Sequence, residues 1–132
     1  MKLSINKIAY NAAIKSSKQE MVKVEVNAKF AVEKKSNYYR AFFVELNLNG
    51  IENETDKDTR NLTIVARFEY ELDKKKFPSI GVEEIEEDSK YFLECLKRLN
   101  DVVENVTTTE DFKNPLNINV AIEDFERNNS NF

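Results

Sequence analysis

The sequence predicts an α+β domain in which an antiparallel sheet of three to four long strands is packed by one long helix on one face. Three observations carry this. Residues 21–33 and 62–72 alternate apolar and polar side chains with a period of two, the pattern of a half-buried strand. Residues 89–106 repeat apolar side chains every three or four positions, the pattern of a helix with one buried stripe. Between the alternating segments lies YYRAFFVELNLN at 38–49, which is apolar on both faces of a strand.

That central stretch organises the rest. Tyr38, Phe42, Val44, Leu46 and Leu48 share one face, interrupted by Arg40, while Tyr39, Ala41 and Phe43 fall on the other before Glu45 and Asn47 turn it polar. Side chains alternate along a strand, so a half-buried strand needs only one apolar face. Apolar groups on both faces call for a second cover, which a helix, another subunit or a ligand would supply.

In chain order, residues 3–16 carry mixed signals. Ile8, Tyr10, Ala12 and Ile14 alternate and favour a strand, while Ala12 and Ala13 leave a helix open. Ser16 to Glu20 form a polar break. In 21–33, Val22, Val24, Val26, Ala28, Phe30 and Val32 share a face opposite Lys23, Glu25, Asn27 and Lys29, and the polar residues from Glu33 to Asn37 turn the chain into a hairpin with the central strand. Gly50 is expected to end that strand, and ENETDKDTRN at 52–61 reads as a solvated loop; it lacks the spacing and central glycine of an EF-hand. The third strand follows, with Val65 the apolar exception on its outer face.

Phe77-Pro78 and Gly81 break the chain. EEIEED at 83–88 reads as an acidic linker, with Asp88 or Ser89 capping the helix; an acidic docking patch for a basic partner is the alternative. The helical stripe is Phe92, Cys95, Leu96, Leu99, Val102, Val103 and Val106, and the three threonines at 107–109 end it. Pro115 lies in a loop, LNINVAI at 116–122 alternates as a short strand or an extended docking segment, and 127–132 read as a flexible tail to a single domain over 1–126.

Composition narrows the function. A chain of 132 residues that is 41% hydrophobic and 33% charged is long enough to bury a core without disulfides or metal. The net charge of −4 argues against a general nucleic-acid binder, although Lys74, Lys75 and Lys76 are consecutive. The sequence has no histidine, which removes the commonest general base and every histidine-ligated metal site. It has only two glycines, too few for the usual phosphate-cradling loops, and its single Cys95 reads as a small buried residue. No cofactor and no catalytic set are indicated; Glu45, Glu69 and Glu71 lie on predicted strands and could in principle converge, but glutamates on outward strand faces are usually solvated. The N-terminus has no signal-peptide run and no stretch is long enough to span a bilayer, so a cytoplasmic location without membrane insertion is expected. The abundance of Asn, Lys, Ile and Glu fits an AT-rich coding sequence, as in a low-GC bacterium or its phage.

The order of elements resembles the SecB export-chaperone family, including the SecB-like chaperones of toxin–antitoxin systems. The likeness rests on Ala9-Tyr10-Asn11-Ala12, on the hairpin strands VKVEVNAKFAV and AFFVELNLN, on the third strand IVARFEYEL, on the start of the helix, YFLECLKRLNDVV, and on FKNPLNINVAIEDF beyond it. The chain departs from the family where Phe92-Leu93-Glu94 lacks a proline and where the segment after the helix is less apolar, with a C-terminal helix missing or reduced. The resemblance implies a homo-oligomer, dimer or tetramer, that holds unfolded polypeptide in apolar grooves without ATP and serves protein transport. Tyr39, Phe43 and Val65 would then line a client- or partner-binding surface; otherwise they face the helix or an oligomer interface. The alternative is an acidic protein, encoded by a phage or mobile element, that binds and inhibits one folded host protein.

Overall fold

The computed structural model describes residues 1–12, 20–32, 38–52, 58–73, 75, 82–109 and 114–128. Four strands, β1 (Lys2–Ala12), β2 (Glu20–Val32), β3 (Tyr39–Glu52) and β4 (Asp58–Glu71), are followed by helices α1 (Val82–Thr107) and α2 (Asn119–Asn128). All pairings are antiparallel, and the sheet order is β1-β4-β3-β2. The first two strands, neighbours in sequence, therefore lie on opposite edges, and the central position falls to the two most apolar strands.

β4 shows why the alternation is obeyed. Its side chains switch between buried and part-exposed at nearly every step, and Leu62, Ile64, Ala66, Phe68 and Tyr70 are all within 3% of complete burial. They stand opposite Leu48, Leu46, Val44, Phe42 and Arg40 of β3, so one continuous apolar face crosses the sheet centre. α1 lays Cys95, Leu96, Leu99 and Val103 on that face, and Leu116, Ile118 and Ile122 extend the same core. Aromatic rings run beneath the helices: Tyr91 stacks on Tyr70 at 4.1 Å, Phe92 meets Phe42 edge-on at 5.1 Å, and Phe92 meets Phe125 of α2 at 5.1 Å. The two helices share one side of the sheet, and among the described residues the other side carries no helix.

Several expectations change. Gly50 does not end the central strand, because β3 continues to Glu52. Gly50 sits instead beside a register shift, buried opposite Arg60. Its missing side chain leaves space on the helix side, through which the Arg60 guanidinium reaches the Asn114 carbonyl at 3.0 Å. The polar run at 52–61 is not wholly loop, since Asp58 to Asn61 pair in β4, while 53–57 lie outside the described residues. The helix starts at Val82, so Asp88 and Ser89 are interior rather than capping. Glutamate is a good helix former, and the acidic run continues the helix rather than linking to it. Residues 115–118 have no regular secondary structure, and 119–122, expected to continue a short strand or extended segment from 116, open a ten-residue helix instead. α2 runs through Asn128. The first segment settles as a strand ending at Ala12, and the turn placed at 33–37 lies outside the described residues.

The threonines end α1 as expected, by bonding back along the helix. Thr107 Oγ1 donates to the Val103 carbonyl at 2.8 Å and Thr108 Oγ1 to the Glu104 carbonyl at 2.7 Å. Cys95 is fully buried, and desolvation pushes its thiol up to about 12, which leaves it a packing residue.

Candidate functional site

The edge strand β2 and helix α2 do not close on one another. Between them lies a cavity of about 300 Å³ lined by Val22, Val24, Asn117, Val120, Ala121 and Asp124. Its walls are mostly aliphatic. Val22 is 44% and Val120 67% exposed, so apolar area stands open to water on both sides of the gap. β2 supplies its wall because the valines at even positions continue the core face beyond the reach of α1. α2 supplies the opposite wall because Ile122 and Phe125 point to the core, leaving Val120 and Ala121 toward β2. Among the described residues that line it, Asp124 is the one ionisable group.

Sequence reasoning missed this site. Val22 and Val24 are visible as a strand face, but the other wall depends on a helix whose start alternates like a short strand or an extended docking segment. The signal for it was there: Ile118, Ile122 and Phe125 are spaced by four and three, and the Asn117 side chain accepts the Asn119 amide at 3.1 Å, a local bond that favours a helix start.

The residues singled out from sequence lie elsewhere. Tyr39, Phe43 and Val65 all face the side of the sheet opposite α1 and α2, where no helix among the described residues covers them. Tyr39 and Phe43 meet through Arg67. Its guanidinium lies over the Phe43 ring at 5.1 Å, forms an ion pair with Glu69 at 3.0 Å, and donates to the Tyr39 hydroxyl at 3.1 Å. Tyr39 in turn donates to Glu69, and this bond, more than partial burial, holds its hydroxyl above the ordinary tyrosine range against the pull of Arg67. Val65 is set apart from the cluster, opposite Glu45 on β3 and Lys7 on β1. Phe43 is 40% exposed. Tyr39 and Glu69, with Met1, Lys2, Tyr70, Glu71 and Tyr91, line a second open cavity of about 380 Å³, and Phe43 and Val65 are not part of its lining. Glu69 and Glu71 share this face of β4, whereas Glu45 lies further along, against Val65.

A third open surface is the free edge of β1. Ile5 and Ile8 stand on the core face opposite Ala66 and Ile64, which are buried, yet are themselves 36% and 44% exposed. Among the described residues, no helix is long and apolar enough to cross a membrane.

Four antiparallel strands backed on one side by a long and a short helix define a SecB-like fold. The chain aligns over 89% of its length, and over 85% of the other chain, with the Mycobacterium tuberculosis Rv1957 SecB-like chaperone in complex with a ChAD peptide from the Rv1956 HigA1 antitoxin. The TM-score is 0.66 at 8% sequence identity, so the likeness is one of fold. No family model matches the chain, and no curated protein matches it in sequence.

Proposed function

We propose that this chain is an ATP-independent, SecB-like holdase of the cytoplasm, which binds unfolded polypeptide and keeps it competent for transport or assembly. The observation that carries the reading is the apolar gap between β2 and α2, open to water and set on a SecB-like fold. Holding an unfolded chain requires adaptable apolar area next to accessible backbone, and no bond chemistry. A strand edge beside an aliphatic gap offers both: main-chain hydrogen bonds along β2 and burial of alternate client side chains against Val22, Val24 and Val120. Tyr39, Phe43 and Val65 form a second, more polar contact surface, suited to a client segment already held at the groove or to a partner protein.

Assembly follows from β1. Its free edge and the exposed Ile5 and Ile8 would be covered together by the same strand of a second copy, giving a homodimer with a continuous sheet.

The test is binding of one reduced, unfolded model protein and of its native form, with the mass of the assembly measured in the same chromatographic run. The expected result is capture of the unfolded form alone, and weakening of that capture about tenfold by Val120→Asp, a change at an exposed site that replaces apolar contact with charge. Failure to bind the unfolded form, or equal binding of the native one, overturns the reading.

A further inference from the structure

Residues 114–118 join the two helices without regular secondary structure, yet Leu116 and Ile118 are fully buried. A buried segment outside helix and sheet must find partners for its backbone groups among side chains. Two come from α1. The Leu116 amide donates to Thr107 Oγ1 at 2.8 Å, and the Ile118 amide donates to Asn100 Oδ1 at 2.8 Å. In an extended chain the amides of alternate residues point the same way, and here both point at one side of α1, from which positions 100 and 107 project two turns apart. The other half of the Asn100 amide donates to Asn119 Oδ1 at 2.9 Å, so a single side chain grips the segment on both sides of the junction where α2 begins.

We propose that Asn100 and Thr107 are positioning residues of the groove: they fix the segment from which α2 springs and so set the distance between α2 and β2. Neither residue lines the cavity. Beyond Ile118 the wall-forming residues Val120, Ala121 and Asp124 follow within two turns of helix, so a small rotation at 118–119 moves the whole wall. Ile122 and Phe125 of α2 pack inward, its first turn bonds to the segment through the Ile122 amide and the Ile118 carbonyl at 3.0 Å, and Lys97 and Glu126, half exposed, stand 3.7 Å apart. Loosening the segment would therefore free α2 before it disturbed the sheet.

The experiment is amide hydrogen exchange on the full chain, comparing the wild type with Asn100→Leu, Thr107→Val and Thr107→Ser. The first two keep side-chain size and remove the acceptor; the serine keeps the hydroxyl. Exchange across α2 is expected to quicken about tenfold in Asn100→Leu and Thr107→Val, the scale of leaving one buried amide without an acceptor, while β3 and β4 hold their protection and Thr107→Ser stays near the wild type. Unchanged protection of α2 in both variants, or a loss shared equally by the sheet, overturns the proposal. Affinity for unfolded polypeptide rests on the holdase reading and is expected to fall several-fold in the same two variants. If the wild type binds no client, that reading fails, and the exchange pattern still decides whether Asn100 and Thr107 position α2.

Discussion

Arg40, Asp88 and Tyr70 meet where the apolar face of the sheet is broken by a charge. Arg40 is only 4% exposed, and its guanidinium lies 3.6 Å from the Asp88 carboxylate, which also accepts the Tyr70 hydroxyl. Burial dominates this site. Desolvation holds the Asp88 carboxyl above its ordinary range despite the opposing pull of Tyr70 and Arg40, and burial with Asp88 beside it holds the Tyr70 hydroxyl above its own. The sign follows from linkage. A carboxyl whose folded pKa is raised binds its proton more tightly in the folded state, so its contribution is complete below the ordinary value of 3.8 and is lost as pH rises through the folded pKa. Asp88→Asn mimics the protonated form and removes this loss. Urea midpoints measured from pH 3 to pH 7 are expected to shift in favour of the asparagine variant, relative to the wild type, as pH rises. A shift the other way would mean that the attraction of Arg40 outweighs desolvation.

The elements differ in how openly the sequence declares them. β2, β3 and β4 were legible because period-two alternation survives wherever one face is buried, and α1 because its stripe from Phe92 to Val106 is seven residues deep. The start of α1 was hidden, since a run of glutamates is compatible with helix and loop alike. α2 was hidden because Leu116 and Ile118, buried from an extended segment, alternate in step with Val120 and Ile122 of the helix that follows. One wall of the groove was lost with it. Tyr39, Phe43 and Val65 were found for a sound reason, surplus apolar area on a central strand, but periodicity cannot tell that Arg67 and Glu69 would cover part of it. At this scale the seam between α1 and the sheet is the main source of stability. Leu99 is fully buried in it, and Leu99→Ala should cost about 3 kcal/mol by denaturant unfolding, from lost transfer energy and the cavity left behind. A cost under about 1 kcal/mol would show that the helix can collapse onto the sheet without it.

The whole molecule divides by charge as well as by layer. α1 and α2 together hold eleven Asp and Glu against four Lys and Arg, while the rest of the chain holds thirteen against sixteen. Asp101, Glu123, Asp124 and Glu126 are exposed, Asp124 paired with Arg127 and Glu126 with Lys97, so the helix layer carries a net negative charge that Asp124 brings to the groove. Like charge makes helix-to-helix stacking of two copies costly, which is consistent with the β1 edge in the proposed dimer. The double substitution Ile5→Lys and Ile8→Lys should then yield a monomer by light scattering with its circular dichroism unchanged, and a wild type that is itself monomeric would remove the β1 interface. The same asymmetry bears on client choice. An unfolded polypeptide of net positive charge would be drawn to the helix layer and reach the groove faster, over a range set by the Debye length of about 10 Å at 0.1 M salt. Stopped-flow association with one basic and one acidic unfolded client should show the basic client slowing about tenfold between about 20 and 200 mM salt, while the acidic client is unaffected or speeds up. Equal salt responses would mean that encounter is governed by the aliphatic walls alone, and that the negative helix layer has no part in selecting what enters between α2 and β2.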